Sequence, residues 1–295
     1  MIQLPEALET AVRRELSTHF GDGAIRSIQA VRGGCINHCF RLDTAGGSAF
    51  LKVNEARRYP HMFAREADGL LALEQACPGI TPAILAVGEA GHHQYLLLAF
   101  LEGGHSRDDD WQILGRDLAR IHQQTSDRHG FDADNYIGSL PQGNHWTDDA
   151  RNFYQEQRLL PLLRRCRDED LMDSSLVRDI ESLAASLEDH IPDAPASLVH
   201  GDLWSGNVHA GVDGRLSLLD PAVAYQHREA DLAMTRLFGP FPAAFYQGYD
   251  EVFPLESGWR ERQGLFQLYP LLVHVNLFGA SYASSVRSIL RKYAQ

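Results

Sequence analysis

The sequence predicts an α+β fold of two lobes, in which a small β-rich lobe precedes a larger helical lobe. Residues 24–102 carry strand patterns, whereas most of the chain after them shows the 3.6-residue periodicity of helices. Gly103-Gly104 separates the two regions and is the expected joint. We therefore place the lobes at residues 1–102 and 103–295, an order typical of two-lobed enzymes.

The first lobe should contain a β-hairpin. Residues 38–43 and 48–53 are strand-like and flank the turn Ala45-Gly46-Gly47. Alternation in the second strand places Ala49, Leu51 and Val53 on one face, and Lys52 on the other.

A helix and a buried strand should follow this hairpin. Apolar residues recur at helical spacing over residues 61–75. The continuous apolar run Tyr95 to Leu101 is typical of a strand buried on both faces.

The second lobe should be mainly helical. Its centre, residues 197–220, has short apolar runs and turns instead. Helical patterning covers residues 111–121, 153–163, 176–187, 229–250 and 260–292.

Composition excludes several classes of protein. The 295 residues include 27 basic and 39 acidic side chains, for a net charge of −12, which argues against a general nucleic-acid binder. Four cysteines in a chain of this length are typical of cytosolic thiols. The sequence has no apolar run of 18 residues, so we expect a soluble cytoplasmic protein without a membrane partner. Monomer and dimer both remain open.

The most informative stretch is His200-Gly201-Asp202-Leu203-Trp204-Ser205-Gly206-Asn207. Its D-x-x-x-x-N spacing is that of kinase catalytic loops. Phosphoryl transfer to an alcohol needs a carboxylate that takes the hydroxyl proton and oxygen ligands for magnesium. Asp202 and Asn207 are the candidates for these two roles.

Asp220 is the candidate second magnesium ligand. Asp213-Gly214 is a strong hairpin signal, and a turn centred there pairs position 207 opposite position 220. Each acidic motif alone is equally compatible with an ordinary turn. The joint pattern favours a magnesium site formed by Asn207 and Asp220.

The first lobe offers phosphate-binding candidates. Gly33 and Gly34 would let backbone N–H groups approach a phosphate, although an ordinary turn is the better explanation of two glycines taken alone. Glu66 lies on the apolar stripe of the helix over residues 61–75, where a carboxylate needs a partner. Lys52 is the natural one; the alternative is a solvated lysine at a strand edge.

Several longer motifs are more specific. They are G-G-C-I-N at 33–37, F-L-K-V-N at 50–54, R-E-A-D-G-L at 65–70, N-Y-I-G-S-L-P-Q-G-N-H-W at 135–146, H-G-D-L-W-S-G-N at 200–207, L-D-P-A-V-A-Y at 219–225, R-E-A-D-L-A-M at 228–234 and L-Y-P-L-L-V-H-V-N-L-F-G at 268–279. With them the chain resembles the fructosamine kinase (ketosamine 3-kinase) family, of the protein-kinase-like and aminoglycoside-phosphotransferase-like fold. Pro270 departs from the histidine expected at that position.

This resemblance implies phosphorylation of the sugar 3-hydroxyl of ketosamines by ATP and Mg²⁺, a deglycation reaction that repairs proteins. Asp202 would be the catalytic base, and Asn207 and Asp220 would bind magnesium. Asp231 would brace the catalytic loop. The residues implied at the ATP site are Gly33, Gly34, Cys35, Lys52, Glu66 and the hinge Ala99, Phe100 and Leu101.

The acceptor site is expected to use aromatic residues. Trp204, inside the catalytic loop, is the first candidate, followed by Trp146 and Tyr136. For Trp146, packing between helices is an equal alternative. The expected partner is a small or protein-bound ketosamine, with fructosamine and ribulosamine left open.

Cys35 supports a separate redox hypothesis. It lies in the glycine-rich turn, and Arg32 and Lys52 would favour its thiolate. Oxidation of Cys35 would then lower activity reversibly. The alternative is a small apolar residue that packs under the turn.

Two other functions compete with this interpretation. One is a different small-molecule kinase of the same fold, acting on an aminoglycoside, choline or a sugar. The other is a non-catalytic nucleotide-binding module. Such a module would be expected to lack one of Lys52, Asp202, Asn207 or Asp220, and all four are present.

Overall fold

An antiparallel sheet organises the first part of the chain. The computed structural model describes residues 2–21, 23–31 and 36–293. Within these ranges five strands pair in the order β1-β2-β3-β5-β4. They are β1 (Ser27–Ala30), β2 (His38–Asp43), β3 (Ser48–Glu55), β4 (Ile84–Ala90) and β5 (His93–Ala99).

Two helices cover the opposite faces of this sheet. Helix α1 (Glu6–Phe20) packs its buried leucines against Leu51 and its neighbours on the same face of β3. Helix α2 (Met62–Ala76) packs Phe63 and Leu70 against the other face. Alternation along β3 therefore turns Lys52 towards α2, as the sequence predicts.

Short strands and helices form the second part of the chain. The strands are β6 (Thr125–Ser126), β7 (Asn135–Ile137), β8 (Leu140–Gln142), β9 (Ala196–Val199), β10 (Val208–Ala210), β11 (Leu216–Leu218) and β12 (Ala224–Gln226). The helices are α3 (Asp108–His122), α4 (Ala150–Phe153), α5 (Leu160–Asp168), α6 (Ser174–Ala185), α7 (Glu229–Met234), α8 (Ala243–Val252), α9 (Trp259–Phe278) and α10 (Ala283–Leu290). A π-helical turn, Tyr154–Leu159, joins α4 to α5.

Glycine and proline divide two stretches that the sequence pattern presents as continuous. Residues 229–250 form α7 and α8, because Gly239, Pro240 and Pro242 interrupt the helix. Residues 260–292 divide at Gly279, whose φ is +88°. None of the helices in the described ranges is both long enough and apolar enough to cross a bilayer.

The chain forms two compact units, each made of two segments. The first comprises residues 1–105 and 209–219, and the second comprises residues 106–208 and 220–295. The predicted α+β class is confirmed, since the first unit is β-rich and the second is mainly helical. The hairpin at 209–219 belongs to the first unit because the Leu218 N–H donates to Ile80 O at 2.8 Å. The predicted boundary at residue 103 instead assigns that hairpin to the second lobe.

Helices α3 and α8 of the second unit approach each other through glycines. A Cβ atom at Gly115 would overlap the carbonyl oxygen of Phe245, and one at Gly248 would overlap that of Gln112. The two backbones therefore pack at a distance that a larger residue would not permit.

We expect Gly115→Ala to destabilise the protein by about 1–3 kcal/mol, because the helices must separate to admit a methyl group. Differential scanning calorimetry would record this as a lower Tm. The matched control is Gly264→Ala in α9, where the nearest atom to a new Cβ is Tyr293 Oη at 3.3 Å. Equal Tm values for the two variants would contradict the close-packing argument.

Candidate active site

Asp231, in the second unit, holds the start of the catalytic loop. Its carboxylate accepts hydrogen bonds from the backbone N–H groups of His200 at 2.7 Å and Gly201 at 2.8 Å. His122 Nε2 lies 3.2 Å from the same carboxylate. Burial opposes ionisation, but the His122 hydrogen bond, nearby histidines and the backbone donor keep the pKa of Asp231 below its usual value. This buried anion fixes the backbone just before Asp202.

Gly201 joins this loop to the segment that follows Asp220. Its φ is +84°, and a Cβ atom there would overlap the carbonyl oxygen of Ala222. The Ala222 N–H donates to His200 O at 2.8 Å. Both the conformation and the close approach require glycine.

Asp202 and Asn207 face each other across the loop. Asn207 Nδ2 donates to Asp202 O at 2.8 Å and to a carboxylate oxygen of Asp202 at 3.0 Å. Burial raises the pKa of Asp202 to about 7, against the lowering effect of Asn207, and the charges of Asp220 and Asp231 add to the rise. A carboxyl group with a pKa near neutrality suits a general base.

Asp220 lies just beyond β11 with an exposed side chain and a left-handed backbone, φ +53°. Its negative charge is one of the influences that raise the pKa of Asp202. Asp tolerates this conformation better than most residues, and such backbone strain concentrates at functional sites.

The predicted register of the β10–β11 hairpin is wrong by one residue. The Gly211 N–H donates to Arg215 O at 2.9 Å, which centres the hairpin on Asp213 instead of between Asp213 and Gly214. Gly214, at φ +82°, occupies the bulge position of a three-residue loop. Position 207 therefore does not pair opposite position 220.

The donor set of this loop fits magnesium. Asn207 directs its amide nitrogen to Asp202, which leaves the amide oxygen as the ligand atom, and Asp220 supplies a carboxylate. Within the described ranges, no cluster of three or more His, Cys, Asp or Glu side chains could hold a metal ion. Magnesium commonly takes one or two carboxylates and completes its shell with phosphates and water.

The first unit contains the predicted lysine–glutamate pair. Lys52 Nζ lies 2.7 and 2.8 Å from the two carboxylate oxygens of Glu66. The Lys52 side chain is only 4% exposed, which excludes the alternative of a solvated edge lysine. The ammonium group also lies 5.9 Å from the ring centroid of Phe63.

The predicted hinge is an extension of β5. The N–H groups of Ala99 and Phe100 donate to Ala83 O and Ser48 O, so an amide donor to a ligand would have to come from Leu101. Arg41 lies 4.3 Å from the ring centroid of Phe100. The predicted phosphate-turn residues Gly33, Gly34 and Cys35 lie outside the described residues.

The three aromatic residues predicted for the acceptor site lie in different surroundings. Trp204 is 37% exposed and contacts Phe238 edge-on, with ring centroids 6.2 Å apart. Trp146 stacks on Tyr225 at 6.1 Å, and Tyr136 is half-buried in β7.

A pocket opens beside Asp202 and Gly201 in the second unit. None of the three predicted aromatic residues is among the side chains that line it. Apolar and aromatic residues from β7, the π-helical turn, α7 and α9 do so, among them Ile137, Tyr154, Met234, Phe266, Tyr269 and His274. Sequence reasoning missed Tyr269 and His274, although the distinctive motif at 268–279 contains both.

Comparison with known sequences identifies relatives over nearly the whole chain. A family model described as fructosamine kinase matches residues 8–295. The "Probable ketoamine kinase" of Synechocystis is 41% identical over 272 residues, covering 91% of this chain and 90% of that one. The chloroplastic protein-ribulosamine 3-kinase of Arabidopsis thaliana is 38% identical, covering 97% and 88%.

Solved structures agree with the sequence comparison. A Thermobifida fusca crystal structure provisionally named fructosamine-3-kinase has a TM-score of 0.86 and 32% identity, covering 96% of this chain and 98% of that one. An aminoglycoside phosphotransferase has a TM-score of 0.62 at 19% identity, covering 97% and 99%, which supports the kinase-like fold alone. The loop around Asp202, the Lys52–Glu66 pair and the match over residues 8–295 together show that this chain belongs to the fructosamine kinase family.

Proposed function

We propose that this protein transfers the γ-phosphoryl group of ATP to the 3-hydroxyl of a ketosamine in a magnesium-dependent reaction. The observation that carries the proposal is the position of Asp202, which Asp231 and Asn207 hold at the edge of an apolar pocket. The names of its relatives support ketosamines as the acceptor class. The phosphorylated adduct decomposes and frees the amine, so the reaction serves deglycation.

Asp202 acts as the base in this proposal. Its carboxylate orients the acceptor hydroxyl and takes the proton as the oxygen attacks the γ-phosphorus. Bound magnesium supplies charge neutralisation at the phosphates. Asn207 and Asp220 are the side chains that hold the ion.

Lys52 contacts the ATP phosphates, and Glu66 orients the ammonium group through two short contacts. Because this pair is buried, bulk water screens the charges of the two side chains only weakly. Among the hinge residues, the Leu101 N–H is the proposed amide donor to adenine. The acceptor is a small or protein-bound ketosamine in the cytoplasm, with no nucleic-acid or membrane partner.

A coupled ADP-release assay with four acceptors tests this function. Fructosyl-lysine, ribulosyl-lysine, kanamycin and choline should be offered side by side at equal ATP and Mg²⁺. We expect turnover with one or both ketosamines and background rates with the other two. Turnover with kanamycin or choline alone would replace the proposal with a different small-molecule kinase.

We expect Asp202→Asn to lower kcat by roughly 10²–10⁴-fold, because the amide cannot accept the hydroxyl proton. The affinity for ATP, measured by calorimetry, should change little because the carboxylate serves the acceptor. Near-normal turnover would remove Asp202 from the mechanism.

Substitution of the two proposed magnesium ligands should change the magnesium dependence of activity. Asp220→Ala removes a charged ligand and should abolish turnover, whereas Asn207→Ala removes a neutral one and should recover partly in excess Mg²⁺. A titration of rate against Mg²⁺ measures both effects. If Asp220→Ala kept wild-type magnesium dependence, the ligand assignment would be incorrect.

A further inference from the structure

Two segments that lie far apart in sequence meet through one side chain, Gln142. Its amide oxygen accepts a hydrogen bond from Tyr269 Oη at 2.5 Å. Its amide nitrogen donates to Ala222 O at 3.1 Å and to Asn135 Oδ1 at 2.7 Å. Gln142 is 3% exposed, so water does not compete for these bonds.

Asn135 adds a second contact to the same backbone. Its Nδ2 donates to Val223 O at 2.9 Å. The β7–β8 hairpin therefore holds two consecutive carbonyl groups, those of Ala222 and Val223, just after Asp220 and Pro221. The Ala222 carbonyl also lies against Gly201, next to Asp202.

Tyr269 connects the hydrogen bonds of Gln142 to the pocket. Its ring lines the wall of the pocket that Asp202 borders. Arg158, which is 1% exposed, lies 5.5 Å from the Tyr269 ring centroid and donates to Gly143 O at 2.6 Å and Asn144 Oδ1 at 2.8 Å. The end of the hairpin and the Tyr269 ring are thus fixed by one cation.

We propose that Gln142 is a positioning residue that couples the acceptor pocket, at Tyr269, to the backbone segment that carries the magnesium ligand Asp220. This inference rests on the proposed function. Its chemical content is specific: Gln142 must accept from a phenol and donate to a carbonyl at the same time, which an amide does and a carboxylate or alkyl group does not. An acceptor that moves Tyr269 thereby changes how firmly Asp220 is held.

The sharpest test removes one hydroxyl group. Tyr269→Phe keeps the ring in the pocket wall and deletes only the hydrogen bond to Gln142. We expect it to raise the Mg²⁺ concentration for half-maximal rate by about 3–10-fold, at or below the usual effect of supporting residues around a metal. The acceptor KM should rise as well.

The matched control is Tyr154→Phe. Tyr154 lines the same pocket and is also buried, but its Oη donates to Leu265 O at 2.7 Å. This variant loses a comparable hydrogen bond and should leave the Mg²⁺ requirement at the wild-type value. Equal Mg²⁺ requirements for the two variants would reduce Gln142 to a packing residue and overturn the proposal.

Gln142→Glu extends the test. The carboxylate still accepts from Tyr269 but repels the oxygen atoms of Asn135 and Ala222, so we expect a rise in Mg²⁺ requirement of about 10-fold or more. Adding Tyr269→Phe to Gln142→Glu should cost more than the sum of the separate effects, because it removes the phenol donor from a buried carboxylate. Full additivity would contradict the coupling.

Measurements of nucleotide binding test this inference independently of the proposed function. Calorimetric titration of each variant with a non-hydrolysable ATP analogue, at several Mg²⁺ concentrations, needs no acceptor. If the wild-type protein phosphorylates no ketosamine, the proposed function fails. The Tyr269→Phe and Tyr154→Phe titrations still decide the role of Gln142, because a shift of analogue binding to higher Mg²⁺ concentrations in the first variant alone supports it and identical curves overturn it.

Discussion

Asp231 accepts hydrogen bonds from two backbone N–H groups of the catalytic loop, and the geometry of the second unit depends on these two hydrogen bonds. A buried carboxylate is unfavourable unless donors surround it, so His200, Gly201 and His122 must remain where they are. The backbone at Asp202 therefore has one orientation. The Ala222 segment then has a single place to pack, against a glycine that has no side chain. One buried anion thus positions both Asp202 and the backbone after Asp220.

In the first unit the corresponding buried charge is Lys52, which Glu66 neutralises. Alternation on β3 gives one face to α1 and the other to α2, so Lys52 enters the side of the sheet that also holds Phe63. A lysine in that place needs a carboxylate, and Glu66 lies one turn after Phe63 on the same helix. The ion pair thus results from two periodicities: the strand period turns Lys52 towards α2, and the helix period turns Glu66 towards β3.

Local periodicity explains which features the sequence could predict. The β2–β3 hairpin, Lys52 facing α2, the Lys52–Glu66 pair and the helical second unit depend on neighbouring residues and followed from spacing. The register of the β10–β11 hairpin did not, because a D-G pair fits both a two-residue turn and a three-residue loop with a bulge. Tyr269 and Gln142 lie 127 residues apart, and no pattern within either segment shows that they touch. The pocket wall likewise depends on tertiary packing.

The order in which the units are made follows from the position of the β10–β11 hairpin. The first unit is incomplete until residue 219 has left the ribosome, since the N–H of Leu218 satisfies Ile80 O and the N–H of Gly104 requires Ala210 O. The first unit is therefore completed during synthesis only after residues 106–208 of the second unit have emerged. A break in the chain at residue 105 would separate the first unit from its hairpin at 209–219, which would remain on the fragment that carries the second unit. The chain passes between its units three times, so neither unit is synthesised as one uninterrupted segment.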